Sequence, residues 1–281
     1  MSKVWLITGS SRGLGHQIAE AVLAHGDSLV ATARNPEQLA DLKERYGKNV
    51  ATVALDVKDR MQARAAVDVA VETFGRLDVV VNNAGYGNIA SIEEATEEEF
   101  RDQIETDLWG VINVTRAALP VLRKQRAGHI IQISSLGGRI GSPGLGAYQT
   151  AKWGIEGFSE VLAKEVAPLG IKVLIVEPGG MPTDWAGSSM HITEPGPDYQ
   201  ASVGQLFALM KMSAGEEGRP NGSDPTKVAR VLVQMVDEPD PPLRLLIGSD
   251  ALQFAVANDE AKLAEASRWQ AISVSTDYQA K

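Results

Sequence analysis

The stretch AYQTAKWG, residues 147–154, sets Tyr148 four places before Lys152, with small or polar residues between them. On a helix that spacing puts a phenol and an ammonium on one face. A phenol held beside a cation can give a proton to a developing oxyanion, or take one from a hydroxyl. Its reference pKa of about 10 is too high for base work near neutrality, and lowering it by about 3 units needs about 4 kcal/mol. An exposed i,i+4 pair supplies only about 0.3–0.5 kcal/mol. The pair does chemistry only in a desolvated cleft with further positive charge nearby. Read alone, it is equally an ordinary stretch of helix.

A second stretch narrows the choice. TGSSRGLG, from Thr8 to Gly15, follows an apolar run and opens a helical pattern. Gly9, Gly13 and Gly15 let the backbone turn tightly and approach a pyrophosphate at a helix N-terminus. The spacing is G-x-x-x-G-x-G and not the common G-x-G-x-x-G, and a plain glycine-rich turn has the same look.

The elements that must position these residues follow from hydrophobic rhythm. Seven short runs, at 3–8, 28–33, 49–55, 77–82, 129–134, 172–177 and 244–248, are rich in Val, Ile and Leu without polar alternation. That is the pattern of parallel strands covered on both faces. Helical patterns lie between them near 13–25, 36–46, 59–74, 96–124, 147–167 and 224–238. Their alternation predicts an α/β fold: a Rossmann-like, doubly wound parallel sheet of about seven strands with right-handed crossovers. One domain over 1–281 is expected. It carries an insertion at about 183–223 and a C-terminal extension at about 250–281, helical to about 270. The insertion is rich in Gly, Pro and Ser, yet places Tyr199, Val203, Leu206, Phe207 and Met210 at helical spacing. It reads either as a substrate lid, with Gly179, Gly180, Gly187 and Gly196 permitting hinge motion, or as a face packed on the body of the fold.

Bulk properties exclude other classes. The chain has 281 residues, 44% hydrophobic and 22% charged, with a formal net charge of -9. No basic stripe exists to neutralise phosphates, so neither nucleic acid nor an anionic membrane is an expected partner. There is no cysteine, so no disulfide framework and no thiolate zinc site is expected. A cytoplasmic location is compatible with this. The first apolar run is too short for a signal peptide or a membrane span. His16, His25, His129 and His191 are scattered, read as surface or loop residues, and no metal site is expected.

TGSSRGLG, NNAG (82–85), a serine thirteen residues before Tyr148, and PGGMPTD (178–184) occur in one order along the chain. In this the sequence resembles the single-domain short-chain dehydrogenases/reductases, over roughly residues 3–248. The resemblance implies hydride transfer between a nicotinamide and a carbonyl or secondary alcohol. It implies Ser135, Tyr148 and Lys152 as catalytic residues. Tyr148 would be the acid/base, with Lys152 and the oxidised nicotinamide lowering its pKa. Ser135 would hydrogen-bond the substrate oxygen, and Ser134 would point the other way if the strand persists. The family commonly has an asparagine in the fourth helix that holds a relay water. Asp107 stands at the matching position, either in that role or as a simple helix residue. Its carboxylate cannot donate when ionised and adds negative charge.

The resemblance also implies cofactor contacts. They are Gly9, Ser11, Arg12, Gly13, Leu14 and Gly15 in the glycine loop; Arg34; Asp56 and Val57 after the third strand; Asn83, Ala84 and Gly85 after the fourth; Pro178, Gly179 and Thr183 after the sixth; and Tyr148 and Lys152 themselves. Asn82 is expected to tie neighbouring strands. NAD-specific relatives carry an acid at the end of the second strand. Here Ala33 takes that place, with Arg34 next and Arg12 in the glycine loop. Two guanidiniums can clamp a 2′-phosphate, so NADP(H) is the expected cofactor. Between Thr183 and Met210 there is no Arg or Lys, which favours an uncharged, lipophilic carbonyl or alcohol. Relatives often pair through the fourth and fifth helices, so a homodimer or homotetramer is expected. The competing readings are a non-catalytic NADP(H)-sensing scaffold on the same fold and an epimerase or dehydratase.

Overall fold

The computed structural model describes residues 2–181, 191–208 and 222–278. In chain order the strands are β1 (Val4–Ile7), β2 (Ser28–Ala33), β3 (Val50–Ala54), β4 (Val79–Asn82), β5 (Asn88–Ile89), β6 (Gly128–Ile133), β7 (Ile171–Pro178), β8 (His191–Ile192) and β9 (Arg244–Ile247). Seven of them form one parallel sheet in the order β3-β2-β1-β4-β6-β7-β9. These are the seven apolar runs. The reversal of order between β1 and β4 is the topological switch point of a doubly wound, Rossmann-like sheet. β5 and β8 make a separate parallel pair.

The helices are α1 (Gly13–Ala24), α2 (Ala40–Tyr46), α3 (Arg60–Phe74), α4 (Glu97–Ile104), α5 (Gly110–Gln125), α6 (Gly146–Val166), α7 (Pro225–Asp237), α8 (Ser249–Arg268) and α9 (Gln270–Val274). Local chemistry sets their ends. Asp59 caps α3 by accepting from the Met61 and Gln62 amides. Thr96 and Glu99 form a reciprocal capping box on α4. Asp224 caps α7, with Pro225 at its first position. Among the described residues, no helix is long and apolar enough to cross a membrane.

Strand residues feed two cores because the side-chain period is two. Trp5, Ile7, Leu29, Ala31, Val79 and Val81 point to the layer of α1 and α7. Val4, Leu6, Val30, Val80 and Ile130 point to that of α3, α5 and α6. Both faces are dry, which is why the runs show no polar alternation.

Three features differ from the expected pattern. The helix expected over 96–124 is broken by a π-helical turn at Glu105–Trp109. The pattern at 36–46 splits into a 3₁₀ turn, Pro36–Leu39, and α2. His129 lies within β6 and not in a loop; burial pushes its pKa down to about 4, which leaves it neutral. Thr183, Trp185, Met190 and Met210 of the insertion lie outside the described residues. Within its described part, 203–208 is helical, and Val203 and Leu206 pack with Ile89, Leu145 and Tyr148.

Candidate active site

All the candidate residues within the described segments lie at or near the carboxyl ends of the parallel strands, where open α/β sheets bind ligands. The glycine loop leaves β1 and enters α1. A Cβ on Gly15 would lie 2.2 Å from the Gly9 carbonyl and 2.4 Å from Asn83 Nδ2, so only glycine lets α1 start this close to the strand. Gly9 adopts φ +69° against Ala84. Arg12 is the N-cap of α1, and its side chain makes no capping bond. A helix N-terminus that follows a glycine loop is a place where backbone amides can receive an anion such as a pyrophosphate. Ser11 and Leu14 complete this turn. Ala33 is buried at the end of β2, and Arg34 after it is exposed.

The segment after β4 holds the loop in place. The Asn83 and Ala84 amides both donate to Thr8 Oγ1 at 2.9 Å, and Asn83 Nδ2 donates to the Thr8 and Gly9 carbonyls at 3.0 and 3.2 Å. Asn82 turns inward, donating to Gln132 of β6 at 2.7 Å and to Thr115 of α5 at 3.0 Å. Asp56 accepts from the Lys58 amide at 3.0 Å and Val57 packs against Gly110, so both shape the loop after β3. Pro178 ends β7 and Gly179 follows it. The Thr183 assignment lies outside the described residues.

The catalytic candidates converge. Tyr148 and Lys152 are both 6% exposed on one face of α6, with Lys152 Nζ 5.5 Å from the Tyr148 ring centre. Lys152 Nζ donates to the Ile133 carbonyl of β6 at 2.9 Å. Ser135 follows β6. Its Oγ accepts from the Gly137 amide at 3.0 Å, capping a turn, and its hydroxyl is hydrogen-bonded with Tyr148. Ser134 faces away: a Cβ on Gly138 would lie 2.7 Å from its Oγ, beside Glu156.

Asp107 sits in the π-turn, fully buried. Its Oδ1 accepts from the Tyr86 amide at 3.2 Å, and its Oδ2 lies 3.8 Å from Lys152 Nζ without a hydrogen-bond partner among the described residues. The carboxylate also fills the space that a Cβ on Gly85 would need, at 3.0 Å. Single-turn π-insertions are frequent at functional sites because they re-aim one side chain.

Burial dominates the electrostatics. It raises the Asp107 pKa to about 6, against the opposing pull of Lys152, the Tyr86 amide and Gln103. It lowers Lys152, whose charge Asp107 and Glu156 favour. It raises the Tyr148 phenol; the Ser135 hydrogen bond lowers it and the Asp107 charge raises it further. The ammonium expected to depress Tyr148 is thus shared with a carboxylate. Sequence reasoning missed Tyr86, whose phenol is pushed up to about 12 by burial and then by Asp107 and Asp102. It also missed Gln149, whose Oε1 accepts from the Ser142 amide at 2.7 Å and orders the loop after Ser135. Both act through contacts distant in sequence and carry no motif.

Among the described residues, His16, Glu20 and Asp41 are the one group with ligand atoms close enough for a metal ion. A cation is already there: Arg45 donates to Glu20 and, at 3.2 Å, to Asp41.

Comparison with known proteins agrees with this architecture. A family model described as short chain dehydrogenase matches residues 3–192. Oxidoreductase BOA17 of Botryotinia fuckeliana (strain B05.10) is 51% identical over 277 residues, covering 98% of this chain and all of that protein. The crystal structure of a short-chain dehydrogenase from Streptomyces avermitilis superposes with a TM-score of 0.91 at 38% identity, covering 99% of both chains. An alcohol dehydrogenase from the archaeon Thermococcus sibiricus, complexed with 5-hydroxy-NADP, gives a TM-score of 0.72 at 27% identity, covering 89% of this chain and 97% of that one. With its parallel sheet, its glycine loop at β1 and its Ser–Tyr–Lys cluster at β6, this chain belongs to the short-chain dehydrogenase family of oxidoreductases.

Proposed function

We propose that this protein interconverts a carbonyl and a secondary alcohol with NADP(H), on an uncharged, lipophilic substrate. The observation that carries the reading is the buried cluster of Tyr148, Ser135 and Lys152 at the carboxyl end of β6. When bound, the nicotinamide supplies or accepts the hydride. The residues handle the proton. Tyr148 gives its phenolic proton to the carbonyl oxygen as negative charge develops there, and takes it back in the reverse direction. Ser135, already within reach of Tyr148, donates to the same oxygen and fixes its position. Lys152, pinned by the Ile133 carbonyl, keeps a cation beside the phenolate. Asp107 would hold a water at Oδ2, at the inner end of this chain of groups; solvent resupplies the proton through that water to Lys152 as Lys152 passes one of its own to Tyr148, so the lysine stays a cation.

The glycine loop and uncapped α1 would hold the pyrophosphate, with Asp56 and Val57 at the adenine, Asn83, Ala84 and Gly85 beside the ribose, and Pro178, Gly179 and Thr183 at the nicotinamide. Arg12 and Arg34, with the apolar Ala33, favour a 2′-phosphate over a free ribose hydroxyl. Lipophilic substrates are favoured by the apolar wall that Ile89, Leu145, Val203 and Leu206 build around Tyr148. Residues 191–208 contain Glu194 and Asp198 but no Arg or Lys, so an anionic substrate would find no cation there. Assembly as a dimer or tetramer through α4–α5 and α6 belongs to the same reading, and light scattering measures it.

A turnover screen of ketones and secondary alcohols with NADPH, NADH and their oxidised forms tests the proposal. Turnover with NADPH that is abolished in Tyr148→Phe is the expected result. Cofactor binding without turnover of any carbonyl or alcohol would favour a cofactor-sensing scaffold.

A further inference from the structure

The end of β7 and the start of α7 bracket residues 182–221, and they are tied together at one residue. The Gly180 carbonyl accepts from the Ser223 amide at 2.8 Å, and the Gly180 amide donates to Asp250 Oδ2 at 2.7 Å. Asp250 lies in the first turn of α8, in the C-terminal extension. The surrounding backbone is shaped to admit its carboxylate. A Cβ on Gly179 would lie 2.3 Å from Asp250 Oδ2, and one on Gly248 2.4 Å from Oδ1. A Cβ on Gly222 would lie 2.0 Å from the Gly180 carbonyl. Three glycines thus converge on one side chain and one peptide.

This junction adjoins the candidate active site. β6 and β7 are neighbours, and the Ser134 amide donates to the Val176 carbonyl at 2.8 Å, so Gly179 and Gly180 leave the sheet beside Ser135. α8 makes a second tie to the same edge. Arg139, four residues after Ser135, donates to Glu177 at 3.0 and 2.9 Å and to Asp259 of α8 at 2.7 Å. The glycine loop is at β1, two strands away from β6 across the switch point.

We propose that Asp250 is a positioning residue for ligand binding: its carboxylate fixes the Gly179–Gly180 segment and so sets the nicotinamide half of the site without touching the adenosine half. The proposal rests on the nicotinamide reading above. Asp250→Ala removes the acceptor, and Asp250→Asn keeps one acceptor oxygen without the charge.

Two measurements on the full-length protein test it. In binding titrations, Asp250→Ala should weaken NADPH about tenfold, the loss expected for one hydrogen bond that holds the Gly179–Gly180 segment. Adenosine 2′,5′-bisphosphate, which has no nicotinamide, should bind as to wild type, and Asp250→Asn should recover most of the NADPH affinity. In amide exchange of the cofactor-free protein, Gly180 and Ser223 should exchange faster in Asp250→Ala, with the β1–β4 amides unchanged. Unaltered NADPH affinity, or unaltered Gly180 exchange, would overturn the proposal. So would equal losses for NADPH and the bisphosphate, or an Asn variant no better than Ala. A wild type that binds neither NADPH nor NADH would defeat the nicotinamide reading itself. The exchange at Gly180 would then still decide whether Asp250 holds this segment.

Discussion

Asp107→Asn is the most informative single change. The carboxyl is fully buried, and its pKa is raised from an ordinary 3.8 to about 6. The folded chain therefore holds a proton that the unfolded chain releases between about pH 4 and pH 6. In that window the native state binds more protons, so stability falls as pH rises, and the loss is complete above about pH 6. The difference corresponds to about 3 kcal/mol at neutral pH. The attraction of Lys152 at 3.8 Å is already contained in that value, because Lys152 is among the groups that oppose the rise. Asparagine has nearly the same shape and never ionises. Its carbonyl can still accept from the Tyr86 amide. The variant should therefore be more stable than wild type, by roughly 3 kcal/mol at pH 7.5 and by about half as much at pH 5. Urea unfolding at the two pH values measures this directly. The same change removes a negative charge that raises the Tyr148 phenol. Activity should be kept or increased, and the pH limb of alcohol oxidation should move to lower pH. Asp107→Leu should lower activity sharply, since it can neither accept from Tyr86 nor hold water. A stability difference that is constant with pH, or equal rates for the Asn and Leu variants, would refute the reasoning.

Tyr148→Phe should cut turnover at least about 100-fold by removing the proton donor, while NADPH titration shows nearly unchanged affinity. NADPH should bind wild type more tightly than NADH, and Arg34→Ala should narrow the gap by about 1.5–3 kcal/mol if a charged hydrogen bond to a 2′-phosphate is lost; titrations of both cofactors measure it. In a series of ketones matched in size, with and without a carboxylate, kcat/KM should favour the neutral members, and Val203→Ala should reduce that preference by opening the wall beside Tyr148.

Much of this molecule is local and therefore legible from residue order. The seven strands announce themselves because both sheet faces are covered, which forces unbroken Val, Ile and Leu runs. The helix ends at Asp59, Thr96 and Asp224 follow from capping chemistry within three residues. The Tyr148–Lys152 spacing and the Gly9–Gly15 loop are likewise contained in single stretches, and the resemblance to a known family points to Ser135. What residue order could not supply are contacts between segments far apart in the chain. That Lys152 shares its charge with Asp107 depends on a π-turn that re-aims one side chain, and no short pattern encodes that turn. The raised Asp107 pKa comes from complete burial, a property of packing and not of spacing. The closeness of His16, Glu20 and Asp41, with Arg45 across two of them, needs α1 and α2 to lie side by side. Gly179, Gly222 and Gly248 lie in separate stretches, and residue order shows nothing that joins them. Only when β7, the start of α7 and α8 come together does the Asp250 carboxylate explain Gly179 and Gly248, and the Gly180 peptide explain Gly222.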